Sequence, residues 1–486
     1  MAELHNPMVP GFNPDPSVVR VDGAYYLVTS SFEYLPGLPV YRSADLVDWE
    51  HIGNVATREP QIGVADVPAG LGVWAPTIRH RDGKFHVIVT VNSGRGCVLF
   101  TAEDPAGAWS DGLPLGIDGI DPDLAWDVDG TAYVTYAGPS GIEQVRVDLE
   151  RGAVLEPPRR LWSGTGLQYP ESPHLYRRDD TWYLLIAEGG TDRGHAVSVA
   201  RGRSIEGPFE GDPTNPILSA RSTKREVQST GHADLVTAPD GTDVLVLLGV
   251  RAIGAYPGYS PLGRETFVTP VEWVDGWPRP TPVALDPRQK TEEQRWDLTD
   301  PAVLDDPGWL AVRRTPYEVA TPSTERLTLA GVDGGLDARR PAFLGRRQRH
   351  HASHTSTTVD ASRGAGGLAL RWDDRCYLTL EARGHDDGTT VTAQAVLSGL
   401  RRAWTAELPA GEVELAIETV PPDRDSPVGA DTIRLTAGST VLAELDGRYW
   451  CAEAATYFTG RVTGLLASEG VVTFACLTYR GTDGLL

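Results

Sequence analysis

Asp15, Asp121 and Glu171 are carboxylates that open like-patterned segments far apart in the chain. His232 opens another such segment, and Trp74 with Ala75 opens a fifth. If the segment starts meet in space, three acids, an aromatic and a histidine ring one cavity. Like charges crowded in a partly buried pocket repel and shift each other's pKa, a cost that marks functional sites. Two carboxyls flanking a glycosidic bond suffice for its hydrolysis: one protonates the leaving oxygen while the other activates water. A third carboxylate near the acid raises its pKa and keeps it protonated near neutrality. Aromatic faces stack on sugar rings, and Phe32, Tyr34 and Trp74 lie in suitable loops. Each residue also has a plainer reading. Asp before Pro starts turns, Glu171 suits a solvated loop, and His232 could bond backbone carbonyls. Their matching repeat positions favour the shared cavity.

The elements that position these residues follow from the repeat. One unit recurs five times: a small or acidic residue, usually Pro, an apolar run, a turn with Asp, then a second run. Its second residues are Pro16, Pro76, Pro122, Pro173 and Asp234, at spacings of 60, 46, 51 and 61. Turns such as Asp22-Gly23 and Asp82-Gly83 between alternating runs signal hairpins. A hairpin plus about 30 more residues with further strands is the size of a four-stranded blade, and five units predict a five-bladed β-propeller. In that fold the innermost strands line a channel, so the unit starts converge at one mouth. A sandwich array with coincidental turns is the alternative, and the fivefold register disfavours it.

The blade pattern fades near Asp275–Pro280, and the polar stretch 286–300 reads as a linker. Beyond it, short alternating strands such as Gly367–Trp372, Cys376–Glu381 and Val391–Leu397 predict an antiparallel β-sandwich. The chain is therefore expected to be all-β, with a catalytic propeller over 1–290 and a sandwich, jelly-roll or concanavalin-like, over 300–486.

With 44 basic against 66 acidic residues, the net charge is −22. Such a surface repels phosphate backbones and anionic membranes, so neither nucleic acid nor membrane is an expected partner. A small neutral oligosaccharide fits without difficulty, and nothing excludes a homo-oligomer. The four cysteines, Cys97, Cys376, Cys451 and Cys476, are too scattered for a zinc site or a disulfide framework and read as buried structural thiols. The first residues lack a basic, then apolar leader, so the expected location is cytoplasmic. His350, His351 and His354 lie in an arginine-rich stretch without a nearby acid or thiol ligand, and read as an exposed polar strand or loop rather than a metal site.

Seven segments together resemble glycoside hydrolase family 43, most of all its β-xylosidase-like members with a C-terminal β-sandwich. They are Asn13-Pro14-Asp15-Pro16-Ser17, Gly72-Val73-Trp74-Ala75-Pro76, Gly119-Ile120-Asp121-Pro122-Asp123-Leu124, Glu171-Ser172-Pro173-His174-Leu175-Tyr176, Ala187-Glu188-Gly189-Gly190-Thr191, Gly231-His232-Ala233-Asp234 and Pro261-Leu262-Gly263-Arg264-Glu265-Thr266. The resemblance implies that Asp15 is the general base, Asp121 tunes and orients the acid, and Glu171 is the general acid. It implies that His232 sits at the channel beside a metal ion, such as calcium, or an ordered water, with no cofactor required. Arg264 would contact the bound sugar, with a salt bridge to Glu265 or Glu272 as its plainer reading. Phe32 and Trp74 would be aromatics of the substrate pocket. The pattern departs at Ser172, where the family usually has Gly, and at Asp123, where Ser is common and an Asp adds charge near Asp121. The C-terminal region matches less well, and Phe458 is the sandwich residue singled out as a pocket wall.

The activity implied is that of an inverting exo-glycosidase releasing xylose from the non-reducing end of β-1,4-xylooligosaccharides. An α-L-arabinofuranosidase, or an enzyme with both activities, is the alternative. A non-catalytic sugar-binding propeller is disfavoured, because a pure binder gains nothing from an acid held beside two anions.

Overall fold

A computed structural model describes residues 4–254, 258–286, 291–423 and 428–483. It divides into two compact units: 1–32, 37–251 and 265–286 form the first, and 33–36, 252–264 and 287–486 the second. The chain is all-β, with only four-residue α-helices at Glu59–Ile62 and Pro316–Val319 among the described residues.

The first unit is a five-bladed propeller. Each blade is an antiparallel meander, and the five meanders begin with the inner strands Ser17–Val21, Gly72–Arg81, Ile120–Trp126, Glu171–Arg178 and Val227–Thr237. Each inner strand touches those of both neighbouring blades, and the fifth touches the first, so the ring closes. The hairpin turns follow from their residues: Asp22-Gly23 and Asp82-Gly83 hold positive φ at both positions, as the twist-matched two-residue turn requires.

Apolar alternation on the strands packs blade against blade. Leu124, Val134 and Val145 of blade three meet Ile88 and Leu99 of blade two. Leu184 and Ile186 of blade four meet Tyr133 and Ile142 of blade three. Val18, Tyr25 and Leu27 of blade one meet Val236, Val244 and Val268 of blade five, which joins the ends of the ring. The N-terminal segment adds hydrogen bonds to that closure, with Val9 paired to Thr266 and the Asn6 side-chain amide donating to the Val268 carbonyl.

The second unit is a concanavalin-like β-sandwich. Its longest strands, Ala352–Arg371 and Val462–Thr482, pair along most of their length. Trp309, Trp372 and Trp450 lie in its core. The expected strands at Gly367–Trp372, Cys376–Glu381 and Val391–Leu397 fall on observed ones, except that Trp372 lies just past Ala352–Arg371.

Two expectations need correction. The stretch read as a linker contains the strand Glu292–Asp297, paired with the last strand. Its polarity hid a period-2 pattern in which Trp296 turns inward and tilts against Trp309, 5.7 Å between ring centroids. Residues 287–290 of that stretch lie outside the described residues. The histidine group is not wholly exposed either: His350 and His351, just before the strand Ala352–Arg371, are buried, and only His354 is exposed. His350 bonds Tyr479 at 3.0 Å and stands 3.8 Å from Glu292, an acid distant in sequence. All four cysteines are free thiols, three buried and Cys476 partly so.

Candidate active site

The mouth of the propeller is built from backbone conformations that side chains ordinarily avoid. Asp15, Asp121, Ser172 and His232 all have φ between 51° and 56°, in the left-handed region that costs a non-glycine residue about 1 kcal/mol or more. At the last three a bulge interrupts pairing, between Ile120 and Asp123, Glu171 and His174, and Gly231 and Asp234. A bulge re-aims a side chain, and such strain gathers where function requires it. Asp15 precedes its inner strand, Asp121 and Ser172 stand second in theirs, and His232 sits at the bulge within Val227–Thr237, where its Nδ1 comes within 3.6 Å of Asp15 Oδ1, so the group gathers at one level of the ring.

Asp15 is buried and held from two sides. Ser30 Oγ donates to its Oδ2 at 2.5 Å, and His232 Nδ1 stands 3.6 Å from its Oδ1. The preceding Asn13 is fixed in turn: Tyr41 donates to its side-chain oxygen, and Thr266 to its carbonyl. Asp121, also buried, follows Gly119, where an added Cβ would sit 2.2 Å from the Tyr136 ring. That close approach explains the glycine. Thr90 donates to the Gly119 carbonyl and fixes the turn.

Glu171 is not itself equivalent to Asp15 and Asp121. The strained residue equivalent to Asp15, Asp121 and His232 is Ser172, and Glu171 precedes it by one. Glu171 is also more exposed than the two aspartates. An acid that must reach a leaving group suits that more open place. The loop before it is anchored by Glu188, fully buried, which accepts from Thr165 N, Thr165 Oγ1 and Ser198 Oγ. Gly189 N donates to the Gln168 carbonyl on the same loop. Neither Ser30 nor Glu188 was assigned a role from sequence, although Glu188 stands in a quoted segment.

The predicted aromatics divide. Trp74 is half-buried, with its indole N–H donating to the Gly70 carbonyl. Phe32 is buried, stacked on Phe12 at 5.8 Å, and its backbone pairs with Val73 beside Trp74. Its φ of 52° is a marked outlier for a large side chain. Arg264 belongs to the second unit. There its guanidinium lies 5.5 Å from the Phe458 ring centroid and donates to the Phe458 carbonyl. The Glu265 carboxylate takes a buried two-point pair from Arg251 and a bond from Gly11 N.

Asp123 adds no free charge beside Asp121. It points to the next layer of the channel, where Arg79 donates to it at 2.6 Å. The step of two residues along the strand puts the two carboxylates in successive layers.

Residues 4–278 match the family model described as Glycosyl hydrolases family 43, and residues 306–479 match that of the Beta xylosidase C-terminal Concanavalin A-like domain. The chain belongs to glycosyl hydrolase family 43. It is 33% identical to a xylosidase/arabinosidase of Butyrivibrio fibrisolvens over 96% of each chain. It is 34% identical to a non-reducing end alpha-L-arabinofuranosidase of Bacteroides ovatus, over 96% of this chain and 91% of that one. The crystal structure of a xylan beta-1,4-xylosidase from Bacillus halodurans superposes with a TM-score of 0.87 at 26% identity, covering 98% of this chain and 100% of that one. The protein is thus a glycosidase.

This family 43 glycosidase offers a poor cage for calcium. A hard cation takes six to eight oxygen ligands. His232 contributes a nitrogen whose near neighbour is Asp15, and the carboxylates of the layer below are committed to Arg79. Among the described residues no group of three or more His, Cys, Asp or Glu is arranged to hold a metal.

Proposed function

We propose that the protein is an inverting exo-glycosidase that removes xylose from the non-reducing end of short β-1,4-xylooligosaccharides. The observation that carries the reading is the contrast between Asp15 and Glu171. Asp15 is buried, accepts from Ser30 and faces His232, an environment that holds a carboxylate as an acceptor. Glu171 is more open and follows an anchored loop.

In this reading Asp15 takes a proton from water as the water attacks the anomeric carbon. Glu171 gives its proton to the departing glycosidic oxygen, so no sugar alkoxide has to leave. Asp121 supplies the negative charge that keeps Glu171 protonated until that moment. Trp74 provides a face for the sugar ring. Because water and acid act from opposite faces in one displacement, the product has the inverted configuration.

The relatives named for arabinose release support a second substrate reading, since xylopyranose and arabinofuranose present similar hydroxyl layouts. One experiment orders the two. Turnover of xylobiose is compared with release of arabinose from an arabinosylated xylooligosaccharide, with proton NMR of the first-formed sugar. The expected result is faster release of α-xylose from xylobiose. Faster arabinose release reverses the substrate order, and retained configuration rejects the base role of Asp15.

A further inference from the structure

Beneath the mouth, each inner strand sends one side chain to a single cluster. Ser17, Arg79, Asp123, His174 and Asp234 come from blades one to five in order. Four of them stand two residues beyond a strained mouth residue: Ser17 after Asp15, Asp123 after Asp121, His174 after Ser172 and Asp234 after His232. A strand's side-chain period is two, so a second ring lies under the first.

Arg79 joins that ring together. Its guanidinium donates to Asp123 Oδ1 at 2.6 Å, Asp234 Oδ2 at 3.1 Å, Ser17 Oγ at 3.4 Å and His174 Nδ1 at 3.0 Å. The carboxylates are saturated from elsewhere as well. Asp234 accepts from Ser17 Oγ, Val18 N and the Tyr176 hydroxyl, and Asp123 from Leu175 N. Both carboxylates are fully buried. Burial works to lower the Arg79 pKa, but Asp234 and Asp123 more than offset it and hold the guanidinium charged. His174 Nδ1 stands 3.0 Å from the guanidinium and 3.3 Å from Asp123 Oδ1. The His174 ring lies 6.5 Å from the His232 ring.

We propose that Arg79 is the resident cation of this propeller's axis, a side chain that takes the place a channel metal ion would have and holds the five inner strands in register beneath the mouth. Charge and shape both favour it. The site pairs one fixed positive charge with two buried anions, and the planar fork reaches several blades at once where a point charge would not. Residues that could ligate a metal are already spent on it. Arg79 acts as a positioning residue, since it lies one layer below the groups assigned to the chemistry.

The test removes the side chain and returns the ion. Arg79→Ala leaves two buried carboxylates without their cation, and the melting temperature is expected to fall by roughly 10 °C. Millimolar guanidinium chloride is expected to restore part of that loss and part of kcat, while sodium chloride at equal ionic strength restores neither. Should Arg79→Ala be recovered only as aggregate, the same salts are compared for yield of folded protein on refolding, and Arg79→Lys is measured beside it. Arg79→Lys keeps the charge but loses the fork, and is expected to fold with an intermediate melting temperature and unchanged KM. For the wild-type protein, chelation and added calcium are expected to move neither melting temperature nor kcat. Equal rescue by sodium, no rescue by guanidinium, or a wild-type loss on chelation that calcium reverses would each overturn the proposal.

Discussion

The two rings of the channel differ by two residues along the same strands and by almost everything else. The mouth holds Asp15, Asp121 and His232 on strained backbone, and Ser172 Oγ there is buried without a hydrogen-bond partner. The ring below has regular strand pairing, and its two carboxylates are saturated by named donors. One ring stores cost and the other supplies the rigidity that makes the cost tolerable. The difference teaches where activity and stability reside, and it can be broken by substitutions that should separate them.

The largest expected effect is on rate, at the mouth. Asp15→Ala removes a base that every substrate needs, so kcat/KM should fall about 10⁴-fold on both xylobiose and a nitrophenyl xyloside. Glu171→Ala should cost roughly 10²–10⁴-fold on xylobiose and far less on the nitrophenyl substrate, whose leaving group needs no proton. Steady-state kinetics on both substrates checks this, and a steep leaving-group dependence for Asp15→Ala would exchange the two roles. Melting temperatures of both variants should match or exceed the wild type, because each relieves crowded charge.

The ring below should respond the other way. Asp234→Ala strips the Arg79 guanidinium of a partner and orphans Ser17 and Tyr176, at about 3–5 kcal/mol for a broken buried pair. Calorimetry should show a melting temperature lower by roughly 10 °C, with a smaller kinetic loss than Asp15→Ala when both are assayed well below the melt. A variant with full stability and a 10⁴-fold rate loss would erase the distinction between the rings.

A pH titration sharpens the same contrast. Burial works to raise the Asp234 pKa, but Arg79, His174, Ser17 and Tyr176 outweigh it and hold the carboxyl well below its usual value. A depressed folded pKa contributes stability that is whole above the ordinary Asp value, about 3.9, and is lost only as pH falls toward the folded one. Stability measured by urea unfolding should therefore lose this share below about pH 4. In Asp234→Ala that part of the slope should be missing.

Much of this was legible in the sequence, for a physical reason. The repeated turn chemistry and the alternation of each blade are local, so Asp15, Asp121 and His232 could be aligned without a structure. Glu171 was placed one residue off its register, although Pro16, Pro122 and Pro173 align Ser172 with Asp15 and Asp121, and the left-handed φ that Ser172 shares with them shows the same equivalence. Arg79 was passed over because Arg79-His80-Arg81 reads as a charged outer run. The step of two residues that reaches Ser17, Asp123, His174 and Asp234 does not reach it, since Arg79 stands four beyond Ala75. Glu292–Asp297 was missed because its polar residues hid the period-2 pattern that turns Trp296 inward.

The smallest predicted effect isolates the strain itself. Ser172 shares the left-handed backbone of Asp15, Asp121 and His232, yet nothing assigns it a step in the reaction. Its hydroxyl is buried without a hydrogen-bond partner. Ser172→Gly relieves a left-handed penalty of about 1–2 kcal/mol and removes an unsatisfied polar group whose burial costs about 1–3 kcal/mol. Against that, glycine adds unfolded-state entropy worth roughly 0.5–1 kcal/mol. The favourable effects win, so the variant should be more stable by about 1 kcal/mol, a rise of a few degrees in melting temperature. Because glycine keeps the same backbone conformation, Glu171 keeps its aim, and kcat/KM on xylobiose should stay within about twofold, under 0.5 kcal/mol of barrier. A loss of stability would mean that the Ser172 hydroxyl is satisfied by ordered water and that the mouth is less strained than its backbone angles indicate.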